Sequence, residues 1–276
     1  SRQLRNKIGS ARLFRARAHA EAGRFDEARA DYQAALALHD GEDYPALCKW
    51  AACEFRAGNP ERAEELLGQA LAEAGSRLAV AFNMVIEAIR LKLPRPLKQR
   101  FDREFNAALA EPATAAGAAA ILSTAAAHRR AGVTYFGQKT HEKKVLAYVQ
   151  KALDAEFTEP QLVAVCRHLL ELHALNPLRD FAALGQRRFP QAPLFPLLEA
   201  DSYMAVGPER CPEFRVEPLL EKARELAERL PRDPQQQELL ETIREREQMI
   251  RSLDPFFNLF GGDFGPFFGD FEDEDG

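Results

Sequence analysis

The sequence predicts an all-α protein, an α-solenoid of about six helical hairpins, and three observations support this fold class. Alanine and leucine recur at helical spacing, Gly and Pro stand mostly at segment ends, and one pattern repeats after 35 residues. Runs of β-branched and aromatic residues that alternate with polar ones, as in half-buried strands, do not occur. Helices are therefore expected throughout the folded part of the chain.

The repeat is clearest where residues 22–36 align with residues 57–71. Four small or apolar residues recur at this offset, namely Gly23 and Gly58, Ala28 and Ala63, Ala35 and Ala70, and Leu36 and Leu71. Small side chains let two helices approach closely, and glycine lets the chain turn between them. The pattern therefore predicts successive antiparallel helix pairs.

This pattern resembles the tetratricopeptide repeat, a helical hairpin of about 34 residues. The family's characteristic positions are filled in the first unit by Ala16, Gly23, Ala28, Tyr32 and Ala35, and in the second by Ala51, Gly58, Ala63, Leu67 and Ala70. Tyr32 and Leu67 are expected to fill the space towards the neighbouring unit. The resemblance is clear over about residues 9–75.

Weaker units are expected to continue the repeat domain over residues 1–253. Helices are predicted over 78–93, 97–110 and 160–188, the last broken at 176–177, with extra residues near 133–140 and 208–216. Residues 234–253 have a narrow apolar stripe of Leu239, Leu240, Ile243 and Ile250 on an otherwise polar helix. A terminal helix with one apolar face and one charged face is suited to cap a repeat stack.

Residues 254–276 differ in composition from the rest of the chain. They contain seven acidic and no basic residues, although the whole chain has a net charge of only −5. Their Gly and Pro content predicts a disordered tail. Seven Phe side chains are expected to bind something, because burying one contributes roughly 1.5–3 kcal/mol. These are Phe256, Phe257, Phe260, Phe264, Phe267, Phe268 and Phe271.

No catalytic, cofactor-binding or metal-binding residue is predicted. Glycine-rich phosphate loops and the HExxH and GxSxG motifs are absent, and the four cysteines lack zinc-like spacing. Buried free thiols suit a reducing compartment, so a cytoplasmic location is expected. No apolar run is long enough to span a membrane. Nucleic acid is not expected as a partner, because Phe14 and Phe25 alone interleave the basic N-terminal segment.

The tetratricopeptide resemblance implies a concave groove lined by the first helix of each hairpin. Projection of these helices places six candidate peptide-binding residues there, namely Leu13, Arg17, Glu21, Cys48, Phe55 and Arg56. One branch of the family holds a chaperone's C-terminal carboxylate with Lys, Asn and Arg. Here Leu13, Arg17, Cys48 and Ala52 stand where Lys and Asn are needed, so that ligand is not expected.

These features predict a non-enzymatic scaffold or adaptor that binds extended protein segments. The expected ligand is acidic and aromatic, and the chain's own tail has that composition. The tail could instead dock on a partner, insert at a membrane surface or condense with its copies. One alternative is a regulatory or targeting region of a larger membrane-attached or enzymatic protein whose N-terminal part precedes Ser1. Another is an enzyme with its site near the two insertions. The oligomeric state is left open.

Overall fold

A computed structural model of the protein describes residues 2–38, 43–132, 138–207 and 210–260. This part is all-α, which confirms the predicted fold class and its tetratricopeptide-like helical hairpins. Two compact units are distinguished, Ser1–Leu172 and His173–Gly276. The repeat spacing does not indicate this division within the predicted domain 1–253, because helices continue at similar intervals on both sides of it.

The first unit contains nine α-helices and one short 3₁₀ turn among its described residues. They are α1 (Arg2–Glu21), α2 (Phe25–Leu36), α3 (Tyr44–Ala57), α4 (Pro60–Ala74), α5 (Arg77–Arg90), α6 (Arg95–Ala110), α7 (Ala115–Arg130), α8 (Gln138–Lys151), the turn Ala152–Asp154, and α9 (Glu159–Glu171). Consecutive helices pair as α1–α2, α3–α4, α5–α6 and α7–α8, and the first helices also pack on one another in the order α1, α3, α5, α7, α9.

Alanine and glycine shape the first two hairpins as the repeat predicts. Ala16, Ala28 and Ala35 are fully buried, as are their counterparts one repeat later. Gly23 and Gly58 have φ angles of +76° and +84°, which side chains rarely adopt. These residues allow close helix contact and a sharp turn.

The contact between the first two hairpins combines aromatic stacking with buried charge. Tyr32 of α2 stacks on Trp50 of α3, with ring centroids 6.2 Å apart, while Leu67 is only half-buried. Arg29 of α2 donates to both carboxylate oxygens of the buried Glu54, at 2.8 and 2.9 Å. Trp50 and Asn59 donate to Glu54 as well. Burial favours the neutral acid, but these donors outweigh it and lower the pKa of Glu54.

Later helices begin at recognisable caps. The hydroxyl oxygens of Ser76 and Thr114 accept hydrogen bonds from the backbone N–H groups of Ala79 and Gly117 at the starts of α5 and α7. Thr158 and Gln161 form a capping box at the start of α9. The first two caps fix the starts of α5 and α7, the two later first helices that contribute to the candidate site.

The second unit consists of α10 (Leu175–Arg188), α11 (Leu194–Met204), α12 (Glu213–Glu228) and α13 (Pro234–Phe260) within its described residues. Ile243 and Ile250 of α13 are buried against α11 and α12, with Leu239 and Leu240 packed at the edge of this core. The predicted apolar stripe is therefore present, and α13 packs on α12 at the C-terminal end of the described chain.

The predicted tail requires one correction. Helix α13 continues through Asp254–Phe260, seven residues beyond the predicted boundary at 253. The glycines that argued against helix begin only at Gly261, so residues 254–260 carry a single Pro as a helix breaker. Phe256, Phe257 and Phe260 are consequently in a helix, whereas Phe264, Phe267, Phe268 and Phe271 lie outside the described residues.

A matched pair of substitutions on α2 tests the role of the small residues. We expect Ala28→Leu to lower the free energy of unfolding by about 1–3 kcal/mol, because Ala28 is fully buried and a larger side chain would overpack its surroundings. Ala30→Leu places the same side chain on the exposed face of the same helix and should change it by less than about 0.5 kcal/mol. Urea unfolding followed by fluorescence of Trp50, the single tryptophan, measures both. Equal effects would show that α2 is not closely packed at Ala28.

Candidate functional site

A cavity of about 140 Å³ lies on the face shared by the first helices of four hairpins in the first unit. Helix α1 contributes Ser10, Leu13, Phe14 and Arg17, α3 contributes Pro45 and Lys49, α5 contributes Asn83 and Arg90, and α7 contributes Thr124, Ala127 and His128, with Ala131 just beyond its end. Helices α3, α5 and α7 present only a narrow stripe to this face, because they pack on neighbouring first helices as well as within their own hairpins. This concave face, meaning the surface around the cavity, is the candidate functional site.

The concave face combines positive charge with apolar surface. Arg17, Lys49 and Arg90 come from three different helices, and none of the residues that line the cavity is acidic. Phe14 is 60% exposed, an unusually large exposure for an aromatic side chain. This surface is chemically suited to a ligand that carries a negative charge next to an apolar group.

A buried hydrogen bond joins α5 and α7 at the cavity wall. The amide nitrogen of Asn83 donates to the carbonyl of Ala79, so its oxygen is the acceptor for Nε2–H of His128, 2.9 Å away. The imidazole also packs edge-on against Phe82. Burial lowers the pKa of His128 to about 3, and the nearby charges of Lys49 and Arg17 contribute to the same shift. The ring is therefore neutral near pH 7, and its contacts with Asn83 and Phe82 hold α5 and α7 together.

A close ion pair lies one helical turn further along α5. Nη1 of Arg90 is 3.5 Å from Oε1 of Glu87, and the two side chains are only 8% and 1% exposed. Burial raises the pKa of Glu87, against the opposing effects of Lys49 and Arg17. Arg90 is thus a buried cation at the cavity wall, with a partner whose own charge is disfavoured.

The structure brings together only part of the predicted site. Leu13 and Arg17 line the cavity. Glu21 accepts a hydrogen bond from Nε of Arg17 at 3.0 Å, and its carbonyl accepts one from Arg56 at 3.1 Å. Glu21 and Arg56 therefore tie the end of α3 to the end of α1 and do not line the cavity.

The predictions for Cys48 and Phe55 are wrong. Cys48 is completely buried, and Phe55 packs edge-on against Phe101 of α6, with ring centroids 5.7 Å apart. Neither side chain can contact a ligand in the groove. The helical projection was rotated by about one residue, so that α3 presents Pro45 and Lys49 to the cavity instead.

Sequence reasoning missed Phe14, Lys49, Asn83, Arg90 and His128. The repeat offset of 35 relates Phe14 to Lys49, so a corrected projection of the first two units could have found both. Helices α5 and α7 lack the clear repeat motif, and no local signal marks their contributions.

Metal binding and membrane insertion can both be assessed for the described part of the chain. Among those residues, no cluster of three or more His, Cys, Asp or Glu side chains could hold a metal ion. Within the same ranges, no helix has the length and apolar character needed to cross a membrane. Parts of the two predicted insertions, residues 133–137 and 208–209, lie outside the described structure.

Comparisons with known proteins show that the similarity to solved structures is distant. No protein-family model and no curated protein matches the chain. Among solved structures, it is similar to the TPR2AB-domain:pHSP90-complex of yeast Sti1, with 15% sequence identity and a TM-score of 0.33 over 90% of this chain and 99% of that one. A likeness this distant carries no argument about function, which has to be inferred from the side chains of this chain.

The neutral His128 predicts a specific pH dependence of folding. Its pKa is lower in the folded state than the ordinary 6.5, so acid protonates the unfolded chain first. Its contribution to stability is complete above pH 6.5 and is lost towards pH 3, by up to about 1.4 kcal/mol per pH unit. We expect His128→Gln to flatten this dependence in urea unfolding between pH 7 and pH 5, followed by Trp50 fluorescence.

The control His173→Asn, at an exposed residue of the second unit, should keep the original slope of stability against pH. If His128→Gln also kept that slope, the result would contradict the assignment to His128.

Proposed function

We propose that this protein is an interaction scaffold whose concave face in the first unit binds extended polypeptide segments that carry acidic and aromatic residues. The observation that supports this most strongly is the composition of the cavity. Three cationic side chains from three helices meet there without a lining carboxylate, next to the exposed Phe14. Aromatic and charged anchors of this kind dominate the energetics of peptide recognition.

Electrostatics supports the choice of an acidic ligand. Arg17 is 25% exposed and Lys49 is half-buried, so both lie at the rim, where a charged segment can reach them from solvent. A positive surface favours encounter with acidic segments and disfavours basic ones. Binding of this type should weaken as salt increases, because exposed charges are screened.

The chain's own C-terminal residues have the composition that this face would recognise. Residues 254–276 contain seven Phe among seven acidic residues. We propose that they are a second binding element, which occupies the concave face of the same or another copy until a partner displaces it. The free cysteines of the first unit are buried, which suits the cytoplasmic location proposed for the scaffold.

Charge reversal at the rim tests this function. A labelled peptide with the sequence of residues 254–276 is titrated into the full chain, and its affinity is measured by fluorescence anisotropy. We expect Arg17→Glu to weaken binding by about tenfold and to reduce its salt dependence, with a smaller loss for Arg56→Glu at the edge of the face. Arg187→Glu changes an exposed residue of the second unit and is the matched control. Unchanged affinity in both charge reversals would contradict the proposed function.

Substitution of the tail phenylalanines tests its occupancy of the concave face. Changing all seven phenylalanines to Ser in the full chain removes the tail as an intramolecular competitor but keeps its length and charge. We expect this variant to bind the labelled peptide several-fold more tightly than the unaltered chain. Equal affinity would show that the tail does not occupy the face in the same chain, whatever the face itself binds.

A further inference from the structure

Two buried carboxylates of the first unit, Asp31 and Glu54, have strong side-chain partners. Asp31 is held by Arg15, whose Nε donates to it at 2.6 Å, and Glu54 is held by Arg29, Trp50 and Asn59. The hydrogen bond from Arg15 lowers the pKa of Asp31, and the pKa of Glu54 is lowered as well. Both residues are therefore satisfied anions that join consecutive helices.

Glu87 and Arg90 lack such partners. Both carboxylate oxygens of Glu87 are buried without a hydrogen bond, and so is Nη2 of Arg90. The closest atoms of the two side chains are 3.5 Å apart, but they are not aligned for a hydrogen bond. A buried guanidinium with an unused N–H edge is costly, because it has lost water and gained no acceptor.

The unused edge belongs to a side chain at the cavity wall. Arg90 is only 8% exposed yet lines the cavity, where Arg17 and Lys49 also lie. The charges of Arg17 and Lys49 act on both Glu87 and His128, which places these groups within a common electrostatic range. His128 adds no charge, so three cations line the cavity; the carboxyl groups beside them are Glu21, paired to Arg17, and Glu87, close to Arg90.

A cavity of about 140 Å³ is suited to one small charged group and not to a whole peptide. A planar guanidinium with a free N–H edge binds carboxylate and phosphoryl oxygens well, and a second and third cation strengthen that preference. Glu87 offers Arg90 an internal carboxylate at a poor distance. It therefore competes with an external oxyanion for the same guanidinium.

We propose that this cavity is an oxyanion subsite, in which Arg90 binds one side-chain carboxylate or phosphoryl group of the ligand and Glu87 acts as a built-in competitor. The inference rests on the proposed function, since it assigns a chemical group to one position of the same peptide-binding face. Arg17 and Lys49 lie at the rim and attract the group, while Arg90 contacts it directly. Phe14 is then positioned for an aromatic residue next to the charge.

Two variants on α5 test Arg90 in the full chain. The probe is the labelled peptide of residues 254–276 with an amidated C-terminus, so that its carboxylates are those of side chains. We expect Arg90→Gln to weaken binding by at least about tenfold, while Arg77→Gln, the same change at a 56% exposed residue of the same helix, leaves it unchanged. Equal affinity of these two variants overturns the proposal. Circular dichroism melts of both variants show whether the fold is kept.

Glu87→Gln gives a second measurement that does not depend on removing Arg90. It replaces the competing carboxyl group by an amide of similar size, so peptide affinity should rise several-fold. A loss of affinity, or no change, overturns the role of Glu87 as a competitor.

Two further probes distinguish the source of the oxyanion. Inorganic phosphate is used as a competitor, and a second peptide has phosphoserine in place of Asp263. Stronger, Arg90-dependent binding of the phosphorylated peptide identifies a phosphoryl group, and equal Arg90-dependent binding of both peptides identifies a carboxylate. Binding that does not depend on Arg90 for any probe overturns the subsite. If Arg17→Glu still weakens binding in that case, the proposed function stands without this subsite; if it does not, both fail.

Discussion

Close contact between helices through alanine is the constraint on which the rest of the first unit depends. Ala16, Ala28 and Ala35 have no exposed surface, so α1 and α2 meet almost backbone to backbone. The same residues recur one repeat later in α3 and α4. Helices α3 and α5 are buried around most of their circumference, with residues 78–88 buried without a break, and the concave face is the narrow stripe that stays partly exposed.

The buried polar residues of the first unit differ in how well they are hydrogen-bonded, depending on where they lie. Between hairpins, Glu54 is surrounded by donors, and its hydrogen bonds help to hold the repeats in register. At the cavity, Arg90 and the neighbouring Glu87 are also buried, but both carboxylate oxygens of Glu87 and Nη2 of Arg90 lack hydrogen bonds. Local departures from good packing are expected where a protein binds a ligand. Together with the three cationic residues that line it, this contrast points to the cavity.

Much of the hairpin architecture could be predicted from sequence, because it depends on local chemistry. Gly23 and Gly58 have the positive φ angles that a tight turn requires, and Tyr32 fills the gap to the next hairpin. The predicted end of α13 was too early. The disorder inferred from the glycines of residues 261–276 was also assigned to residues 254–260, which contain no glycine. These successes and this error all depend on residues close together in the chain.

The site was less predictable, because it depends on residues far apart in the chain. Phe55 was expected in the groove, but Phe101, 46 positions later, covers it. His128 and Asn83 meet across 45 positions, and nothing in either local sequence indicates the pairing. Successive residues of an α-helix are rotated by about 100° from one another. A projection shifted by one position therefore placed Cys48 in the groove instead of Lys49. Arg17 lines the cavity, although the same projection left out Phe14, its neighbour on α1.

Photo-crosslinking can show whether the concave face of the first unit binds acidic and aromatic segments. A peptide of residues 254–276 with benzoylphenylalanine in place of Phe264 is irradiated with the full chain, and the linked residues are mapped by mass spectrometry. We expect cross-links to α1, α3, α5 or α7 near Phe14, and their loss when unlabelled peptide is in excess. Cross-links confined to α10–α13, or links that excess peptide does not remove, would contradict binding at this face.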